Sequence, residues 1–284
     1  MGRLCAFIQA HFLRATKKRC RHSMLHIFYY FAVTFLTHKI QMKKILVAVA
    51  TLAVLVACKN EEHTDANVHI TGNVKGFKKG RIFIKELKDT SLVNIDTIEV
   101  DGDSNFASHL KMSEPDMLYM VIDRGTTESI DDNLRFFADP GDVTIETTLD
   151  YFYSRAKIKA GRNQEKLTEY EKLKKRFTDT RLELIERNIM ASKAGNKTRL
   201  DSIAKASDDN TRRSYLFTAN FALNNGDYEV SPYIVLSEIP DINSKYLDTI
   251  VKRMTPRVAK SKYGKMLLQH LKENKQAENT ANIQ

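Results

Sequence analysis

The chain has 284 residues, enough for one large domain or two small ones, and carries a formal net charge of +10. Residues 1–57 hold nine basic and no acidic side chains, which leaves 36 basic against 35 acidic side chains in the remainder. A nucleic-acid-binding domain needs a basic cluster on its folded part. The nearly neutral remainder therefore predicts no nucleic-acid partner.

The three cysteines are Cys5, Cys20 and Cys58, and none follows Cys58. The rest of the sequence is therefore predicted to contain no disulfide, no Cys-x-x-Cys redox pair and no thiol nucleophile.

Residues 42–57 have the pattern of a bacterial lipoprotein signal peptide. Lys43 and Lys44 precede an apolar run from Ile45 to Val54, and the segment ends in Leu55-Val56-Ala57-Cys58. This end resembles the lipobox, whose cysteine is diacylated, cleaved on its amino side and N-acylated. A plain transmembrane anchor would need about 20 apolar residues, more than this run provides. We therefore expect attachment to a membrane by lipid on Cys58, because several acyl chains anchor a protein stably.

Residues 1–41 stand upstream of a complete signal, so we expect them to be a mis-called extension with translation starting at Met42. The alternative, a genuine N-terminal helix, would place the signal in mid-chain. Residues 58–67 are polar and predict a flexible tether. Within them Lys59-Asn60-Glu61-Glu62 is similar to export signals of Bacteroidetes surface lipoproteins. The expected location is the cell envelope, on the outer membrane, facing either the periplasm or the cell surface.

Residues 68–160 alternate apolar and polar side chains in short runs that are separated by Gly, Asp-Gly and Asp-Pro-Gly turn signals. Such spacing predicts an antiparallel β-sandwich or a barrel-like domain. The alternating runs are 68–74, 81–84, 94–100 and 142–146, and 118–122 is a more continuous apolar run.

Residues 161–275 are predicted to be helical and to pack on the β domain, which makes the fold class α+β. Apolar residues recur there at helical spacing, at Leu167, Tyr170, Leu173, Phe177 and Leu184. A second helix is predicted over Arg212 to Leu223, and a last one that Ser261 caps. Residues 276–284 are predicted to be a disordered tail.

The predicted β domain is net acidic and the predicted helical region is net basic. Residues 58–160 carry 13 basic and 19 acidic side chains, and residues 161–284 carry 23 and 16. We favour mutual attraction that docks the halves as one unit. The alternative is that the basic segment 252–275 touches lipid headgroups or an anionic glycan.

No metal or cofactor site is predicted. Asp101 to Asn105 imitates the start of a calcium loop, but Phe106 and Met112 stand where that loop needs Gly and Glu. We therefore expect a hairpin turn there. The histidines after the leader show no metal-ligand spacing, and they are His63, His69, His109 and His270.

No catalytic motif is recognisable either. Gly-x-Ser-x-Gly, phosphate-binding glycine loops and the dinucleotide fingerprint are all missing from the sequence. The sequence therefore predicts a protein that is not an enzyme. Acidic residues such as Asp131-Asp132 leave a hydrolase with dispersed carboxylates as the weakest alternative.

Three segments resemble the Asp-Ser/Thr-aliphatic O-glycosylation sequon of exported Bacteroidetes proteins. They place the acceptor hydroxyl on Thr97, Ser202 and Thr249. We prefer Ser202, because Thr97 lies in a predicted strand.

The order of several segments resembles a known module. These segments are 70–74, 81–84, 95–98, 102–106, 136–145 and 261–267. Together they are similar to the domain of unknown function that precedes the thioredoxin fold in Bacteroidetes thiol-disulfide oxidoreductase lipoproteins of the TlpA/ResA type. In that family a Cys-x-x-Cys thioredoxin domain follows, whereas this sequence ends at Gln284. The resemblance therefore implies the module without its redox activity, and it supplies no catalytic residues.

These observations predict a non-catalytic envelope lipoprotein that binds a partner protein or ligand. The alternative from a different class is an accessory subunit of thiol-disulfide exchange that docks a separate oxidoreductase.

Overall fold

The computed structural model describes residues 65–124 and 132–281. Strands fill the first part of this region and helices the second, which confirms the predicted α+β class. The strands are β1 (Val68–Lys75), β2 (Lys79–Lys88), β3 (Ser91–Asp101), β4 (Asn105–Leu110), β5 (Asp116–Asp123), β6 (Asn133–Ala138), β7 (Gly141–Thr148) and β8 (Lys157–Lys159). The helices are α1 (Arg162–Lys193), α2 (Lys197–Asn224), α3 (Val230–Glu238), α4 (Ser244–Arg253), α5 (Pro256–Lys260) and α6 (Lys262–Ala281).

The strands form two four-stranded sheets, in the orders β4-β1-β7-β8 and β3-β2-β5-β6. We call them sheet A and sheet B. All pairs are antiparallel except β1 with β7, which run parallel. Parallel neighbours need a long crossover connection, and the excursion of the chain through sheet B supplies it.

The two sheets share one apolar core, so the domain is a sandwich. Side chains that alternate along each strand point inward, among them Ile70 of β1, Ile84 of β2, Met120 of β5 and Ile145 of β7, all fully buried. Because the side-chain period of a strand is two, the intervening polar residues face outward.

Strands β5 and β6 of sheet B are covered on both faces, which explains why β5 reads as a nearly continuous apolar run. On the face away from the sandwich core, Met117 of β5 and Phe137 of β6 pack against Leu167 and Tyr170 of α1 and Tyr263 of α6. A strand that is buried on both faces has no polar alternation. The molecule thus has three layers, namely sheet A, sheet B and the helices.

The turn at Asp101 to Asn105 differs from our expectation of a hairpin. It joins β3 of sheet B to β4 of sheet A, so its two strands do not pair with each other. Gly102 has φ = 91°, a conformation that glycine adopts without steric cost. Asp103 Oδ1 accepts a hydrogen bond of 3.0 Å from the Asn105 amide, as in an Asx turn.

The helical hairpin of α1 and α2 is longer than the sequence indicated. The second helix begins at Lys197 rather than near Arg212, and the Asn196 side chain caps it by accepting from Arg199 N at 3.0 Å. Few apolar residues mark this first part of α2. The core there is small, with Ile203 packing on Leu184 and Ala191, the latter two from α1.

The predicted cap of the last helix is confirmed, because Gly264 N donates to Ser261 Oγ at 3.3 Å. The expected tail from residue 276 is wrong as far as Ala281, since α6 continues to that residue. The Glu278 carboxylate accepts from Ser244 Oγ at 2.6 Å, which ties the end of α6 to the start of α4.

Ion pairs connect the β domain to the helices in both directions, one with its acidic group on the β domain and the other with its acidic group on α1. Asp116 of β5 pairs with Lys262 of α6 at 2.5 Å, and Arg135 of β6 pairs with Glu171 of α1 at 3.1 Å. In residues 65–124 and 132–281, no helix is long and apolar enough to cross a membrane.

Candidate functional site

An open groove of about 910 Å³ lies where the β2–β3 hairpin, the segment after β4 and the start of α6 meet. We call it the hairpin groove. Its lining mixes apolar, acidic and basic side chains, including Ile95, Met112, Glu114, Lys111, Lys262 and Met266. Four separate stretches of chain contribute to it, so it exists only in the folded molecule.

A β-bulge shapes one wall of the groove. Opposite β2, Ile84 pairs with Asp96 and the next residue, Lys85, pairs with Asn94, which leaves Ile95 as the extra residue. Bulges redirect side chains, and Ile95 is turned toward the groove and the edge of the core. The Asn94 amide, with its nitrogen 3.1 Å from Ile84 O and 2.8 Å from Asp96 O, closes the gap in the ladder.

Strand β3 is also an edge of sheet B, since in the described part of the chain it pairs only with β2. Its outer edge can therefore accept another strand. At the tip of the hairpin, Leu92 and Val93 are 41% and 39% exposed. Leu92 lies opposite Leu87, which lines the groove, and Ile95 of β3 lines it too, so the apolar hairpin tip and the edge strand lie beside the groove.

A buried carboxylate fixes the opposite wall. Asp116, which is 6% exposed, accepts from Tyr263 Oη at 2.5 Å, from Lys262 Nζ at 2.5 Å and from Met117 N at 2.7 Å. Lys262 also donates from Nζ to Leu87 O at 3.0 Å. The Lys262 side chain of α6 therefore joins the β2–β3 hairpin and β5 at one point.

The phenol of Tyr263 donates a hydrogen bond to Asp116 and keeps its proton across the physiological pH range. Burial, together with the neighbouring Asp116 carboxylate that it hydrogen-bonds, raises the pKa of Tyr263 above its ordinary range. It therefore stays protonated at any physiological pH and holds Asp116 in place.

A second polar network lies between β6 and the helices. Asn163 of α1 donates from Nδ2 to Asp139 Oδ1 at 2.5 Å and to Glu229 Oε2 at 3.0 Å, and its Oδ1 accepts from Val230 N at 2.9 Å. Glu229 in turn forms an ion pair with Arg257. The amide of Asn163 is fully used, so this network holds elements together.

The acidic pair singled out in the sequence lies at the boundary of the described region. Asp132 is 3% exposed and pairs with Arg124 Nη2 at 2.5 Å, while the same nitrogen donates to Leu149 O at 3.0 Å. Asp131 lies outside the described residues. The Asp132 carboxylate thus has a structural ion-pair partner.

Two histidines that the sequence leaves apart come together across strands. His69 of β1 lies opposite His109 of β4, with their Nδ1 atoms 2.9 Å apart. Only the strand register brings them together, so sequence spacing could not reveal the pair. Among the residues that the structure describes, no cluster of three or more His, Cys, Asp or Glu side chains could hold a metal ion.

The predicted modification sites do not gather at one place. Thr97 is on β3, Ser202 on α2 and Thr249 on α4, and all three residues are exposed. Thr97 Oγ1 lies 2.7 Å from the Asn94 amide and Thr249 Oγ1 donates to Lys245 O at 2.8 Å. Their glycosylation stays a prediction, and so does lipidation of Cys58, which lies outside the described residues.

Residues 68–167 match the family described as "Domain of unknown function (DUF4369)". The match covers the whole sandwich and the first turns of α1. No curated protein matches the chain.

Proposed function

We propose that the protein is a lipid-anchored envelope protein that binds a partner protein through the hairpin groove and performs no catalysis itself. Two independent features support this proposal. The leader has the composition of a lipoprotein signal that ends at Cys58. The folded body has a groove in one wall of which Asp116, Lys262 and Tyr263 are joined by hydrogen bonds.

Binding fits the groove better than catalysis because three hydrogen bonds already hold its buried carboxylate in place. A general acid or base must be able to exchange a proton with a substrate within hydrogen-bond reach. Asp116 already accepts from Tyr263, Lys262 and Met117. These bonds keep the wall rigid, which favours a preformed contact surface.

A protein segment fits better than a small ligand because the groove is open and borders a strand edge. Small-molecule sites are concave and enclose most of the ligand. Here the edge of β3 offers main-chain hydrogen bonds, and the exposed side chains of Leu92, Val93 and Met266 offer apolar contacts. Strand addition at a sheet edge combines these two kinds of contact.

The resemblance to the module of TlpA/ResA-type lipoproteins suggests the class of partner. We propose that the partner is an extracytoplasmic protein, and a thiol-disulfide oxidoreductase is the specific candidate that this resemblance supplies. The match at residues 68–167 is to a domain of unknown function and names no partner, so the class of partner rests on the resemblance alone. Identification of the captured partner by mass spectrometry decides between an oxidoreductase and another protein.

The anchor is tested by metabolic labelling with palmitate. The wild type should incorporate the label and fractionate with membranes, whereas a Cys58→Ala variant should lose both properties. An Asn60→Ala variant, which changes a residue near Cys58 and leaves the cysteine in place, is the control and should behave as the wild type. Membrane association of the unlabelled Cys58→Ala variant would overturn the lipid anchor.

The groove is tested by co-purification from chemically crosslinked envelopes. Leu92→Glu and Met266→Glu place a charge on the apolar rim and should reduce recovery of the partner at least tenfold. Tyr246→Glu is the control, because Tyr246 is exposed to a similar extent on α4, at 46% against 44% for Met266. Equal recovery with all three variants would contradict binding through the groove.

A further inference from the structure

The distal half of α1 carries an apolar stripe on its outward face. Leu182, Ile185, Ile189 and Met190 are 57%, 50%, 49% and 58% exposed. Residues three, four and seven apart lie on one face of a helix, so Leu182, Ile185 and Ile189 form one line. Scattered exposed apolar residues are ordinary, but a contiguous line on a helix marks an interaction surface.

The residues of the stripe take no part in the packing of α1 against α2. That contact uses the other side of α1, where Leu184 and Ala191 are buried against Ile203 of α2. Helix α1 is therefore apolar on two opposite faces along this stretch. One face packs on α2, and none of the described residues covers the other.

Spacing of the stripe follows the heptad pattern of a two-stranded coiled coil. Leu182 and Ile189 occupy successive a positions and Ile185 the d position between them. The flanking positions are then Arg181 at g and Glu186 at e. Both flanking side chains are exposed, and neither forms an ion pair within the described residues.

The charges on the flanks specify how two copies of α1 would pair. In a parallel pair, each g position faces the e position of the next heptad on the partner helix. Arg181 of one copy then meets Glu186 of the other, twice by symmetry. In an antiparallel pair, g faces g and e faces e, which would bring like charges together.

We propose that the stripe of Leu182, Ile185 and Ile189 is a self-association surface, on which a second copy of this chain packs its own α1 in parallel. Helix α1 has 32 residues and is already held by α2 and the body, so association need not nucleate a new helix. With only three apolar seam positions, the dimer should be weak and reversible.

Charge reversal tests the proposal by sedimentation equilibrium of the full chain in detergent. Arg181→Glu or Glu186→Arg alone should weaken the dimer about tenfold, since each turns two attractions into two repulsions. The double variant Arg181→Glu/Glu186→Arg should restore wild-type association. Lys265→Glu, which makes the same charge change on α6, is the control and should have no effect.

Cysteine crosslinking tests the orientation. In a parallel pair, Leu182→Cys, Ile185→Cys and Ile189→Cys should each form a disulfide with the same residue of the other copy, above the background of the parent chain. In an antiparallel pair, only a position on the symmetry axis could do so. A chain that stays monomeric, single reversals without effect, or an Ile185→Ser change that abolishes binding of the unlipidated Cys58→Ala chain to anionic vesicles while dimerisation persists would each overturn the proposal.

Discussion

At the scale of single residues, Tyr263 and Asp116 are the pair on which the groove depends most. Tyr263 is 4% exposed, and its hydroxyl reaches both the Asp116 carboxylate and, at 3.3 Å, the amide of Met117. A buried carboxylate costs free energy unless it is hydrogen-bonded. The phenol therefore makes burial of Asp116 at this wall possible.

We expect Tyr263→Phe to lower the free energy of unfolding by about 1–3 kcal/mol, because a hydrogen bond to a buried charge is lost without any change in packing. Urea denaturation measures the change. Tyr215→Phe is the matched control, since Tyr215 Oη donates to Asp241 at 2.8 Å at an exposed site. Its expected effect is within about 0.5 kcal/mol.

The same pair predicts a pH dependence on the alkaline side. Because burial and Asp116 raise the pKa of Tyr263 in the folded state, its contribution to stability is complete below the unfolded pKa of about 10 and is lost as pH rises beyond it. Stability above pH ~10 should therefore fall less steeply in Tyr263→Phe. Equal costs for Tyr263→Phe and Tyr215→Phe would contradict the role given to this pair.

Among the elements, α4 and α6 are joined by a carboxylate between two cations. Asp248 of α4 lies 2.5 Å from Lys252 and 2.6 Å from Lys275 of α6. Hydrogen bonds from Lys252 and then Lys275 lower the pKa of Asp248 to about 2. The stabilising effect of this contact is therefore present above pH ~4 and is lost as pH falls toward 2.

Replacing both partners, in Lys252→Ala/Lys275→Ala, should raise the pKa of Asp248 toward the ordinary value of about 3.8. Carboxyl-carbon chemical shifts followed by NMR across pH 1.5–6 measure this pKa directly. Lys265→Ala, which removes a cation of α6 that makes no ion pair with Asp248, should leave it unchanged. A low pKa that persists in the double variant would show that the two lysines do not cause it.

Elements with strong local patterns could be predicted from the sequence, and those set by distant residues could not. Alternation indicated β1, β2 and β3, and Ser261 indicated the start of α6. The first part of α2 was missed because few apolar residues mark it. The bulge at Ile95 and the pairing of His69 with His109 depend on register between strands, which no local pattern encodes.

For the whole molecule, the contact between the β domain and the helices decides whether it behaves as one unit. Asn163 is central there, because it bonds Asp139 of the turn before β7, Glu229 and the Val230 amide. Sheet B would expose Met117 and Phe137 if the helices separated from it. We therefore expect a single cooperative unfolding transition.

Asn163→Ala should lower the free energy of unfolding by about 2–4 kcal/mol, because it leaves Val230 N and Glu229 Oε2 without this partner in a buried place. Chemical denaturation monitored by tyrosine fluorescence and by circular dichroism measures the loss, and the two signals should change together. Asn220→Ala, at an exposed site on α2, should change stability by less than about 0.5 kcal/mol. Similar losses in both variants would exclude the network as the link between the layers.

The sequence predicted the lipid anchor but did not predict the hairpin groove. The leader ending at Cys58 is a local pattern, so the expected anchor needs no structure. The hairpin groove combines Ile95, Glu114 and Lys262, which are far apart in the sequence and meet only through the packing of three layers. Sequence therefore predicted a binding protein but not its contact surface.

Photo-crosslinking in living cells tests binding through the hairpin groove most directly. A photoreactive amino acid at Met266, on the rim of the groove, should yield one discrete adduct with an envelope protein. The same amino acid at Tyr246, which is equally exposed on α4, should yield none. Adducts of equal yield from both positions, or no adduct from Met266, would contradict the proposed function.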